Sequence, residues 1–211
     1  MNRRLKIVGM VLCAALAFTA FLASAAIGAN YTASSYPTTV KGSSALGNDK
    51  FTTEAGSFEC EVHEEFTLNG STGERTERVE YTNCKAFGFL SATVSMGSCD
   101  WLWTAATFVA SDIYSAPPHI KCTSSTKMSV TAGTCKMTVG EQTPSGSVTI
   151  TNNTAAGDIS AKKNVTGIAY TVTEDGFGCA FGGTGAKTGA TYTQANAITM
   201  DSTNGATVDV G

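Results

Sequence analysis

The stretch FECEVHEEFTLNGSTGERTERVEYTNC, residues 58–84, decides how the whole chain is read. Apolar side chains recur at every second position: Phe58, Cys60, Val62, then Phe66 and Leu68. Polar ones stand between them: Glu59, Glu61, His63, Glu65 and Thr67. A period of two marks a strand with one buried face, because successive side chains leave opposite faces of the pleat. Asn69-Gly70 then tolerates the positive φ of a reversal. A second strand-like run ends in Val79, Tyr81 and Cys84. The unit is a β-hairpin with a cysteine near each end. Folding it about Thr72 sets Cys60 opposite Cys84, but Val79 and Tyr81 then share a face with His63 and Glu65. Shifting the register by one residue restores the apolar face and separates the cysteines, since a slip turns every side chain over. A β-bulge just before Cys84 meets both demands.

The same pattern recurs along the chain. Leu90, Ala92, Val94 and Met96 alternate with small polar residues, and Trp101 and Trp103 share one face of the next run. Pro117-Pro118 interrupts the ladders. Further short strands surround Ala132-Gly133 and follow Pro144, and VTGIAYTV (165–172) is apolar and β-branched enough to be central. Two last strands near 190–193 and 206–210 follow a glycine-rich run. No segment has helical periodicity. Strands every ~8–12 residues with turn residues between them are the signature of an all-β sandwich or barrel. The expected fold is an antiparallel β-sandwich stapled by disulfides, over residues 51–211. A split into two β-domains near 117–121 competes with it.

The N-terminus reads differently. Arg3, Arg4 and Lys6 precede an apolar run, and Ala23-Ser24-Ala25 is a small-residue cleavage signal. Residues 1–25 are therefore expected to be a secretory signal peptide rather than a span, which needs ~20 apolar residues. Cleavage after Ala29 is the alternative. Residues 26–50 are rich in Ala, Ser, Thr and Gly, and are expected to be a mostly extended, loosely docked leader, either flexible throughout or with one short strand near 38–41. Loss of the signal removes Arg3, Arg4 and Lys6, and so takes the net charge from −3 to −6. An acidic surface argues against nucleic acid or an anionic membrane as partner. No second segment is apolar enough to span a bilayer after signal cleavage. The expected location is secreted, extracellular.

Cys13 leaves with the signal, and six cysteines remain: Cys60, Cys84, Cys99, Cys122, Cys135 and Cys179. An even count in a secreted chain points to disulfides, and six allow fifteen connectivities. The expected pairing joins sequence neighbours, 60–84, 99–122 and 135–179. Zinc is disfavoured, because no C-x-x-C pair occurs and both histidines are isolated; no metal or cofactor is expected.

Signals for chemistry are sparse. No G-x-S-x-G or H-E-x-x-H occurs. His63 reads as a solvated strand residue and His119 as a loop residue. Glu59, Glu61 and Glu65 share a strand face, and paired carboxylates ~5–9.5 Å apart would suit a glycosidase; the plainer reading is a charged edge. Trp101, Trp103 and Phe108 would suit a sugar platform, although such aromatics are more often core. GGTGAKT (182–188) lacks the second glycine of a phosphate loop. Asp201–Gly205 falls short of a calcium loop. Sequons stand at Asn30, Asn69, Asn152 and Asn164.

SFECEV, EYTNCKAFG, ATVSMGSCDW, GTCKMTV, VTGIAYTV and the GATYT tail together resemble small, uncharacterised secreted proteins of soil actinobacteria. The resemblance spans about residues 51–193 and implies secretion and a disulfide-bearing all-β fold. It carries no functional residues. The expected function is non-enzymatic: an extracellular structural or binding protein, self-assembling or holding an unknown protein or polysaccharide at the cell surface. The alternative is a secreted carbohydrate-active protein, either a hydrolase using Glu61 and Glu65 or a binding module using Trp101 and Trp103.

Overall fold

The computed structural model describes residues 28–176, 179 and 181–211. The expected signal peptide, residues 1–25, lies outside them. All regular structure among the described residues is β. The first half of the chain supplies β1 (Tyr31–Ala33), β2 (Thr38–Thr52), β3 (Ser57–Leu68), β4 (Arg75–Ala86), β5 (Leu90–Ser95), β6 (Cys99–Trp103), β7 (Thr107–Ala110) and β8 (Ile113–Ala116). The second supplies β9 (Pro118–Cys122), β10 (Met128–Ala132), β11 (Cys135–Val139), β12 (Ser145–Asn153), β13 (Asp158–Asp175), β14 (Gly185–Gln194), β15 (Ile198–Ser202) and β16 (Val208–Val210).

The opening hairpin is β3 and β4. Its register runs Glu61↔Thr82 on one side of a shift and Glu59↔Lys85 on the other, so Asn83 and Cys84 together oppose Cys60. Asn83 takes φ +50°. The bulge expected before Cys84 is there, and Cys60 and Cys84 are bonded across it. Cys99 lies directly opposite Cys122 in the β6–β9 ladder and is bonded to it. Cys135 is bonded to Cys179.

The sandwich expectation gives way to a barrel. Eight strands pair in the closed order β2–β3–β4–β5–β10–β11–β13–β14, with β14 returning to β2 and β11 joining β13. A sandwich and a barrel share the same inward–outward alternation. What closes the ring is the length of β13, which pairs with β12 over residues 158–166, with β15 over 159–161, with β14 over 164–172 and with β11 over 171–175. Within the β14 ladder the register shifts around Gly167, which adopts φ +70°. Glycine accepts that conformation without the Cβ penalty. The alternative split near 117–121 also fails, because β2 pairs with β14 and β15, β5 with β10, β6 with β9 and β8 with β12, ladders that join the two sides of that point.

The leader expectation is corrected too. Residues 38–52 form β2, which is paired along one side to β3 and along the other to β14 and β15. β1 pairs with β16 and ties the two ends of the described chain together. The small, hydroxyl-rich side chains that suggest a linker here let strands approach closely. A Cβ on Gly42 would stand 2.7 Å from Ile198 Cγ2 and 2.8 Å from the Thr199 carbonyl oxygen.

The interior is one continuous core, containing Phe51, Phe58, Tyr170, Phe181 and Tyr192 toward one end, and Tyr31, Phe66, Leu68 and Trp103 toward the other. At ~25 cal/mol per Å² of buried apolar area, each large side chain contributes about 1.5–3 kcal/mol.

Candidate functional site

The outer faces of β2, β3 and β4 form the floor of a groove of about 1090 Å³. Strand register fixes what stands there. Lys41 pairs with Glu65, and Glu65 with Arg78. One row over, Ser43 pairs with His63, and His63 with Glu80. The floor therefore carries a row of cation, carboxylate and cation beside a row of hydroxyl, imidazole and carboxylate. Directly opposed side chains have Cβ atoms ~4.5–5.5 Å apart, close enough to act on one ligand. Lys41 Nζ and Glu65 Oε2 are 2.8 Å apart, with both side chains about half exposed. The walls are residues 94–97 on one side, and residues 196–199 with Ala45 and Asn48 on the other.

Of the residues singled out from sequence, Glu65 and His63 line this groove and Glu61 does not. Glu61 accepts a 2.6 Å hydrogen bond from Asn83 Nδ2 at the bulge. Glu61 and Glu65 lie four residues apart on one strand, ~13 Å at ~3.3 Å per residue, beyond the ~5–9.5 Å of glycosidase pairs. The sugar platform is corrected: Trp101 and Trp103 are 3% and 1% exposed. Trp101 packs on the Tyr192 ring and donates to Tyr81 Oη. Trp103 lies under the Arg75 guanidinium, 4.6 Å away. A strand row that faces a closed barrel interior has no solvent to share with a sugar.

His119 Nδ1 is 2.9 Å from Thr143 Oγ1, away from the groove. Residues 185–188 of the glycine-rich run open β14 rather than a helix. Asn204 closes its own turn by accepting from the Ala206 amide. Asn152 is buried and bonded at both ends of its amide to Val210, so this sequon is not open to modification.

Beneath the floor lies a feature that the sequence reading passed over. The alternation that buries Val62 and Phe66 also buries Glu64. Facing strands bury Arg75, Glu77 and Lys163 by the same rule. Lys163 Nζ is hydrogen-bonded to Glu64 Oε1 and stands 3.0 Å from Glu77 Oε2, and all three side chains are 0% exposed. Arg75 Nη2 is 3.7 Å from Glu77 Oε1, with its guanidinium 3.9 Å from the centre of the Phe66 ring. The chain continues through Gln194 Nε2, which donates to Glu64 Oε1 (3.1 Å) and to Asp49 Oδ1 (2.9 Å). Tyr192 donates to Asp49 Oδ1 at 2.5 Å, and Ser44 donates to Asp49 Oδ2.

Two cations thus face three carboxyl groups. Burial, then repulsion from Glu77, raises the Glu64 carboxyl to a pKa of about 7, against the pull of Lys163. A neutral Glu64 leaves the row balanced. Burial disfavours the charged Lys163 ammonium, but Glu64 and Glu77 more than offset this and raise its pKa. Burial raises the Tyr81 phenol to about 12, and Tyr192 is raised further by burial, Tyr81 and Asp49. The signal that would have found this network is a charge standing in an apolar row: Glu64 between Val62 and Phe66, and Lys163 between Ala161 and Val165.

No protein-family model, curated protein or solved structure matches this chain.

Proposed function

We propose that this is an extracellular, non-catalytic binding protein that works through the groove across β2, β3 and β4. The observation that carries the reading is the pair of cross-strand rows, Lys41–Glu65–Arg78 and Ser43–His63–Glu80, on the floor of the groove. A floor whose positions are set by sheet register is preorganised, which lowers the entropy lost when a polar ligand docks. The three disulfides suit an oxidising compartment, and the resemblance to secreted proteins points the same way. The chemistry of the floor suits a polar protein segment or polysaccharide at the cell surface. Self-assembly has a separate location, β7, which is an edge strand among the described residues and where Phe108 and Val109 are 67% and 59% exposed; an unpaired apolar edge is a template for a second chain.

The test is binding of the secreted protein to arrays of cell-surface glycans and of peptides, repeated with Glu65→Ala and Arg78→Ala. Ligands lost in both variants support the groove. Binding untouched by either variant would move the site elsewhere.

A second reading, a secreted hydrolase, is favoured by one observation: Ser43, His63 and Glu80 are the residue types of a nucleophile, base and orienting carboxylate in adjacent positions. No hydrogen bond links the three side chains among the described residues. Turnover of p-nitrophenyl esters that Ser43→Ala abolishes would establish this reading and end the non-catalytic one.

A further inference from the structure

Binding in the groove makes no use of the charged network beneath its floor, and that network holds the parts of a condensation. Lys163 Nζ is hydrogen-bonded to Glu64 Oε1 and stands 3.0 Å from Glu77 Oε2, and all three side chains are 0% exposed. The centre of the Trp103 ring lies 5.0 Å from Nζ. In water an amine and a carboxylic acid persist side by side because both are solvated as ions. These side chains meet no solvent, and burial penalises their charged forms. Reacting groups held in contact behave as if each were present at about 10⁵–10⁸ M.

The two oxygens of Glu64 have different surroundings. Oε1 accepts from Gln194 Nε2 at 3.1 Å, and Gln194 is itself held by the Lys163 amide, which donates to Gln194 Oε1 at 2.8 Å. A donor aimed at Oε1 stabilises the negative charge that develops there when Cδ is attacked. Oε2 is buried with no hydrogen-bond partner among the described residues, so it is free to carry the carboxyl proton and to depart. Burial, then repulsion from Glu77, raises this carboxyl to a pKa of about 7. A neutral carboxyl is the electrophile that an amine needs, and Glu77 is the base beside the amine.

We propose that Lys163 and Glu64 are a modification site, where Nζ and Cδ join in an intramolecular amide with Glu77 as the base. The Glu77 carboxylate takes one proton from the Lys163 ammonium. The freed amine attacks Glu64 Cδ, so that a C–N bond forms and negative charge moves onto Oε1. The bond from Cδ to Oε2 then breaks, and Oε2 leaves as water with its own proton and a second one from Nζ. The products are one amide, one water and a protonated Glu77. One positive and one negative charge stand before the step and none after it, and nothing is oxidised or reduced. A buried ion pair, costly to desolvate, gives way to a neutral amide whose carbonyl keeps Gln194 as its donor. The bond ties β3 to β13 across the barrel interior, where no ladder joins them among the described residues. Unlike the three disulfides, it withstands reducing agents. Chains in which it has not formed keep the ion-paired network and its titration. The inference concerns the interior and stands apart from what the groove binds.

The test is the intact mass of the secreted protein, reduced and denatured after successive intervals in the folded state at neutral pH. The mass is expected to settle one water below that of the mature chain. Trypsin does not cut after an acylated lysine, so peptide 163–187 is expected to stay joined to peptide 51–75, which holds Glu64. The Glu77→Gln variant, with its fold checked by the emission of Trp101 and Trp103, is expected to keep the full mass. The mass of the native chain needs no variant, so a folding defect in Glu77→Gln does not shield the inference. Full mass at every interval overturns it and leaves the ion pair as the end state. A lost water without the joined peptides overturns it too, as does a joint to peptide 76–78, which holds Glu77. A folded Glu77→Gln chain that still loses the water overturns the assignment of the base.

Discussion

Replacing Lys163 by Met removes the cation between Glu64 and Glu77 while keeping an unbranched side chain of similar length beside Trp103. Lys163 Nζ lies 3.0 Å from Glu77 Oε2 and is bonded to Glu64, with no exposure of any of the three side chains. At an effective dielectric of ~20, one such contact is worth about 5 kcal/mol of Coulomb energy. Most of that offsets the desolvation of the charges, and breaking a buried pair from one side typically costs about 3–5 kcal/mol. We expect a loss of that size at pH 7. It should widen above pH 7, because the native chain then ionises Glu64 against Lys163 whereas the variant must keep it protonated. The widening approaches about 1.4 kcal/mol per pH unit. Adding Glu64→Gln should remove the widening. Urea unfolding at intervals from pH 6 to pH 9, followed by the emission of buried Trp101 and Trp103, measures both quantities. A loss under about 1 kcal/mol, or a deficit that is flat with pH, would refute the account of this network.

The native chain should itself lose stability between pH 4.5 and about 7. The folded state keeps the Glu64 proton through that window while the unfolded chain releases it. Stability from this source is therefore complete below pH 4.5 and gone above about 7, a change of about 3 kcal/mol. Glu64→Gln should flatten that part of the urea profile, and an identical decline in the variant would count against it. Removing the Cys60–Cys84 bridge with paired alanines opens a loop closed over a separation of 24 residues. Chemical denaturation should report a loss of about 3–4 kcal/mol, and unchanged stability would show that the bulge holds the hairpin alone. Gly42→Val drives a side chain into Ile198 and the Thr199 carbonyl. Its melting temperature should fall by several degrees, for a cost of about 1–3 kcal/mol; an unchanged value would mean that β15 can move away from β2.

Much of the candidate site was legible as a face and not as a place. Alternation in 58–84 put His63 and Glu65 on the polar side of β3, and they do line the groove floor. Their companions Lys41, Ser43, Arg78 and Glu80 come from strands brought alongside by register, and a groove needs the walls at 94–97 and 196–199 as well. The two tryptophans show the limit from the other side. A shared face was readable from Trp101 and Trp103, but whether it meets solvent or a barrel interior depends on what packs over it.

By itself, the sequence determined the all-β class, the strands of most of the chain and the bulge before Cys84. These follow from period-two alternation, turn residues and the conflict between one apolar face and one pair of cysteines, all within a few residues of each other. Tertiary structure alone decided that the sheet closes into a barrel, that 38–52 is a barrel strand rather than a leader, and that Lys163 meets Glu64 from 99 residues away. Alternation says which side chains turn inward. It does not say which strands become neighbours, and a buried charge is tolerable only where the fold supplies its partner. Residues 58–84 therefore held the hairpin, its bulge and the buried Glu64. Only the closed barrel gave that glutamate its lysine and made a groove of the face above it.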